Sequence, residues 1–86
     1  MDIAYTANFL WQYKKLPKEL KEDVKRAIDE FRHVTKHKSL RVYKLKGELK
    51  NFHSFSVNYR YRIVFEFVNK KKTAWLHAVD DHDIYQ

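Results

Sequence analysis

The hydrophobic period of this chain changes once, and that change limits what it can fold into. From Pro17 to about Val34, the apolar residues Leu16, Leu20, Val24, Ala27, Ile28, Phe31 and Val34 recur at helical spacing, with Lys18, Lys21, Glu22, Lys25, Arg26, Asp29 and Glu30 on the other faces. After the polar stretch TKHKS the period falls to two. His53, Phe55, Val57 and Tyr59, then Tyr61, Ile63, Phe65 and Phe67, share one parity; Ser54, Ser56, Asn58, Arg60, Arg62, Val64 and Glu66 share the other. Helix comes first and sheet second, the pattern of an α+β domain.

The remaining elements fit around this switch. Asp2 to Tyr5 reads as a short edge strand, and Thr6 offers a hydroxyl N-cap to a first helix carrying Phe9, Leu10, Tyr13 and Leu16 on one face. Pro17 ends that helix or opens the next. Val42 and Leu45 begin the strand pattern, Gly47 marks a turn in KLKGELKN, and Asn58 and the run Asn69 to Lys72 mark two more. Thr73 to Val79 closes the sheet. The expected fold is two N-terminal helices packed on one face of a small, mainly antiparallel sheet of three to four strands.

With 86 residues, the chain is expected to form a single domain over 1–86, burying about 60 to 65% of the surface its unfolded form exposes. It has no cysteine, so neither a disulfide nor a thiolate metal site supports it. No apolar run approaches the roughly 18 residues of a membrane span, and no export signal opens the chain. A cytoplasmic protein without membrane contact is expected. Net charge is +7, and the segment from Lys36 to Arg62 holds eight basic residues (Lys36, Lys38, Arg41, Lys44, Lys46, Lys50, Arg60, Arg62) against one acid, Glu48. Such a field concentrated on one segment points to phosphates as partners.

The open sheet face is the natural place for that field. Arg60 and Arg62 share its parity with Ser54, Ser56 and Asn58, and hairpin geometry should bring the lysines of RVYKLKGELK near it. Two readings stand here, solubility and phosphate binding, and the lysines favour the second. His82 lies among Asp80, Asp81 and Asp83, which favour its protonated form, and Ile84 with Tyr85 can hold the tail against the sheet. His53 shares parity with Phe55 and Val57 and reads as a buried or edge histidine; His77 is equally ambiguous. His33 and His37 lie four apart, but with no Glu between them in an H-E-x-x-H pattern and a helix ending there, no metal site is expected. No glycine-rich phosphate loop or G-x-S-x-G elbow occurs, and no small-molecule cofactor is expected.

The order L-K-G turn (Leu45–Lys46–Gly47), Y-R-I-V-F strand (Tyr61 to Phe65) and terminal H-D-I-Y (His82 to Tyr85) resembles toxins of the RelE/ParE superfamily, the growth-arresting partners in type II toxin–antitoxin systems. The resemblance spans essentially the whole chain. It implies a RelE-like fold whose concave face binds mRNA in the ribosomal decoding site and cleaves it, and a cognate antitoxin that masks that face. By the same resemblance, Arg62 would support the scissile phosphate, His82 would exchange a proton, and Arg41, Lys44, Lys46, Lys50 and Arg60 would bind RNA. Some members carry lysines where this chain has His53 and Phe55, which leaves the general base open.

Cleavage through the RNA 2′-hydroxyl needs a group to take its proton, a group to protonate the leaving 5′-oxygen, and cations for the growing phosphate charge. His82 is assigned as general acid, Arg62 as charge stabiliser, Tyr85 as an orienting or stacking residue and His53 as a possible base. On this reading, the last strand delivers His82 to the rim of the basic face. Two alternatives remain: a ParE-like toxin that poisons DNA gyrase by binding, and a basic RNA-binding domain without chemistry.

Overall fold

The computed structural model describes residues 1–33, 36–49 and 51–81. Strand β1 (Asp2–Tyr5) leads into helix α1 (Ala7–Lys15) and helix α2 (Lys18–Phe31). Strands β2 (Tyr43–Lys44), β3 (His53–Ser56), β4 (Tyr61–Val68) and β5 (Thr73–Asp81) follow, with a 3₁₀ turn over Gly47–Leu49. They form one five-stranded sheet in the order β1-β5-β4-β3-β2. The α+β class holds, and the sheet is wider than expected. β1 is the edge strand expected over Asp2 to Tyr5, and the fifth strand comes from the other edge, β2, whose two residues are too short to carry a clear period.

β1 runs parallel to β5, whereas the other pairs are antiparallel. Parallel neighbours need a long crossover, and here the helices and three strands supply it. Thr6 caps α1 as expected: its Oγ1 accepts the Phe9 amide at 3.0 Å and donates to the His77 carbonyl at 3.3 Å. Asn8 donates to the same carbonyl at 3.0 Å, and the Gln12 side-chain oxygen accepts the Val79 amide at 2.8 Å. These bonds fall where the β4–β5 register shifts between Val64 and Phe65, leaving His77 as the extra residue of a bulge. Helix α1 thereby satisfies backbone groups near the break in the ladder.

Helix α2 buries Val24, Ala27, Ile28 and Phe31, one stripe of its surface. Val34 lies outside the described residues. Phe31 stacks on Phe55 at 4.2 Å between ring centroids and meets Phe65 edge-on at 4.8 Å, so aromatic packing joins helix to sheet. Two apolar assignments change. Leu10 is 49% exposed because the buried stripe of α1 runs through Phe9, Tyr13 and Leu16, and Tyr59 is 96% exposed because it sits in the β3–β4 turn. Asn58 organises that turn, its Oδ1 accepting the amides of Arg60 and Tyr61, each at 2.9 Å.

Candidate active site

Strand register assigns the two faces. Ser54 pairs with Val64 and Ser56 with Arg62 on the open face, while His53 pairs with Phe65 and Phe55 with Ile63 on the helix-covered face. Across β2–β3, Tyr43 pairs with Ser54 and Lys44 with His53. Tyr43 therefore joins the open face, and Lys44 lies on the other. Hairpin geometry does not bring Lys44 to Arg62, because adjacent strand residues point to opposite sides.

Arg62 is the centre of the open face, and it is not a solvated cation: only 5% of it is exposed. Its Nε donates to Ser54 Oγ at 2.8 Å, and its Nη2 donates to the carbonyls of Arg41 at 2.5 Å and Ser54 at 3.2 Å. The Tyr43 ring lies 5.1 Å from the guanidinium carbon. All these acceptors are neutral, and no ion pair to Arg62 occurs among the described residues. Burial above all lowers its affinity for its proton; Tyr43 opposes the shift and Arg41 adds to it. A buried cation held by dipoles is arranged to meet an incoming anion.

Arg60 does not join this face: its Nε donates to Asp81 Oδ2 at 2.9 Å and its guanidinium lies 5.4 Å from the Tyr61 ring, and the Tyr61–Asp81 pair has the parity of the helix-covered face. Arg41 is exposed beside Arg62 in a left-handed conformation, φ 55°, which presents its carbonyl to the guanidinium. Lys46 is exposed just after β2. Lys50, His82 and Tyr85 lie outside the described residues. At the far end of the open face, His77 Nε2 lies 3.3 Å from Glu66 Oε1, with the His77 ring 4.8 Å from Trp75 and 5.0 Å from Phe52. His37 turns inward instead, its Nε2 2.8 Å from the Phe31 carbonyl and its ring stacked on Phe31. Among the described residues, no group of three His, Asp or Glu side chains could hold a metal ion.

No family model matches the chain. No curated protein sequence matches it either. Its three-dimensional form does find relatives. It is similar to the YoeB/ParE toxin from Agrobacterium tumefaciens, with a TM-score of 0.76 and 14% identity over 95% of this chain and 99% of that one. It is also similar to YafQ from E. coli strain BL21(DE3), with a TM-score of 0.75 and 14% identity over 96% and 94%. A chain of the archaeal RelE–RelB complex from Pyrococcus horikoshii OT3 follows at 0.71 and 14%, over 93% and 92%. This chain has the RelE/ParE toxin fold.

Within the RelE/ParE fold, the structure brings Arg62 and Arg41 together and puts His53 and Lys44 on the other side, with Arg60 turned to Asp81 and Tyr61. Tyr43 and Ser54 are the residues that sequence reasoning missed as partners of Arg62. The parity shared by Ser54 and Arg62 carried a signal for the first, whereas Tyr43 reaches Arg62 through the β2–β3 register, which a two-residue strand is too short to reveal. No helix among the described residues is long and apolar enough to cross a membrane.

Proposed function

We propose that this protein is the toxin of a type II toxin–antitoxin pair and acts in the cytoplasm as a ribosome-dependent endoribonuclease that cleaves mRNA through its 2′-hydroxyl. The observation that carries this reading is Arg62, a buried guanidinium on the open face of a RelE/ParE-type fold, bonded only to neutral oxygens among the described residues. Its role is to balance charge growing on the scissile phosphate, with Tyr43 and Ser54 fixing its orientation. His82 protonates the leaving 5′-oxygen, and Tyr85 orients or stacks on a base. Arg41 flanks the phosphate, and Arg60, Lys46 and Lys50 extend the RNA contact. His53, on the opposite face, takes no part in proton transfer at Arg62. The ribosome supplies what so sparse a site lacks, a substrate held in one geometry.

A structural relative was solved as a RelE–RelB complex. By analogy, the partner of this chain is a cognate antitoxin whose acidic residues cover the Arg62 face.

The test is primer extension on mRNA loaded on purified ribosomes, with the wild type, Arg62→Lys and His82→Ala, each checked for folding by circular dichroism. Discrete cuts that require ribosomes and disappear in both variants are expected. Growth arrest by the wild type without any such cuts would overturn the nuclease reading in favour of the gyrase-directed branch.

A further inference from the structure

The lysines that do not face Arg62 have a place of their own. At the far end of β4, Lys44, Asn51, His53, Phe67, Lys70 and Lys71 line an open pocket of about 320 Å³. The His53 ring meets Phe67 edge-on at 4.9 Å and lies 5.6 Å from Phe65, held by aromatic packing. Its Nδ1 is sealed from solvent and has no hydrogen-bond partner among the described residues, so the ring's capacity for an external partner is left at the other nitrogen. Burial, then Lys44 and Lys71, lower the His53 pKa and keep the imidazole neutral.

The turn that supplies two of these lysines is costly to form. Asn69, Lys70 and Lys71 take φ values of 54°, 55° and 66° in succession. None is glycine, and although asparagine visits the left-handed region readily, that region is unfavourable for the two lysine side chains. A connection needed only to join β4 to β5 has easier solutions, whereas this one holds Asn69, Lys70 and Lys71 at the pocket.

β2 connects the pocket to Arg62. It is an edge strand of two residues, with Tyr43 against the Arg62 guanidinium on one face and Lys44 at the pocket on the other. Along β4 the two places are five residues apart, about 17 Å at about 3.3 Å per residue. That separation matches several nucleotides of a single strand passing over the sheet edge.

We propose that the pocket is a second RNA site, which holds one nucleotide of the strand whose scissile phosphate lies at Arg62. The base packs on Phe67 and His53, a phosphate sits among Lys44, Lys70 and Lys71, and the strand crosses the sheet at Tyr43 and Lys44. The side-chain amides of Asn51 and Asn69 and the aromatic edges suit a base, whereas an acidic peptide would use only the cations. This inference rests on the RNA reading above.

The test uses non-cleavable 2′-O-methyl oligoribonucleotides of about three and about eight nucleotides, the longer within the usual span of single-strand sites. Binding is followed by fluorescence anisotropy across salt concentrations and by NMR of the His53 ring, comparing the wild type with the double variant Lys70→Ala/Lys71→Ala. The double variant should bind the longer oligonucleotide about tenfold more weakly, with a salt slope reduced by about one, and the shorter one as the wild type does. The His53 resonances should move with the longer oligonucleotide only. Unchanged binding of both oligonucleotides by the double variant, with binding still dependent on Arg62, would overturn the pocket and leave the nuclease reading intact. Failure of the wild type to bind either would overturn both. Movement of His53 with poly-glutamate but not with RNA would make the pocket a peptide site and overturn the proposal.

Discussion

Arg62 and His53 lie on neighbouring strands, and both are constrained by burial, in opposite ways. Arg62 keeps its charge and is supported by Ser54 and the Arg41 carbonyl. Removing the Ser54 hydroxyl deprives a buried charged group of a hydrogen bond, so Ser54→Ala should lower stability by about 1.5 to 3 kcal/mol in urea unfolding. Lysine at position 62 keeps the charge but loses the planar fork, and ribosome-dependent cleavage should fall roughly 10²- to 10³-fold. His53 is held neutral, with a sealed nitrogen that finds no partner among the described residues. Its pKa is depressed in the folded state, so the unfolded chain binds its proton first as pH falls. Its contribution to stability is complete above the ordinary histidine value of about 6.5 and is lost as pH drops through the lower folded value. His53→Phe should therefore be more stable than the wild type at pH 7, by about 1 kcal/mol, and the gap should widen below pH 6.5 in paired urea titrations. At this scale the Y-R-I-V-F strand made Arg62 legible as the central cation. Its burial was not legible, because the atoms that enclose it come from Ser54 and Arg41, residues brought to it only by strand pairing.

The elements were legible wherever a period ran long enough. Helix α2 and strand β4 each repeat their pattern several times, and both lie close to where the spacing puts them. β2 is too short to set a register from sequence, so Lys44 was expected beside Arg62 and lies on the opposite face. The bulge at His77 was hidden for a related reason: a single added residue changes parity without changing composition. Helix α1 makes that bulge stable, and Thr6 serves both its own helix and the His77 carbonyl. Thr6→Ala should cost about 1 to 2 kcal/mol, at the upper end for an N-cap, with hydrogen exchange quickening first in α1 and beside the bulge. In the β4–β5 turn, Lys71→Gly relieves a left-handed side chain, an effect offset in part by the freedom glycine adds to the unfolded chain. Thermal melting should be unchanged or slightly raised, which would separate the turn's charge from its shape.

Over the whole molecule, Phe31, Phe55 and Phe65 form the junction between layers. Phe31→Ala should cost about 3 to 5 kcal/mol, a large part of the stability of a domain this small, and is expected to leave the protein largely unfolded at 37 °C by circular dichroism. The parallel pairing of β1 with β5 has another consequence, in time. Thr6 bonds to a carbonyl 71 positions further along the chain, and β1 pairs with residues 73–76 of β5. Contacts of such sequence separation form late, since the intervening chain must be ordered first. During synthesis, β1 waits for β5 to leave the ribosome, so this edge of the sheet stays incomplete while the helices and the other strands are made. A nascent copy is thereby kept from its finished sheet until residues 73–76 have emerged.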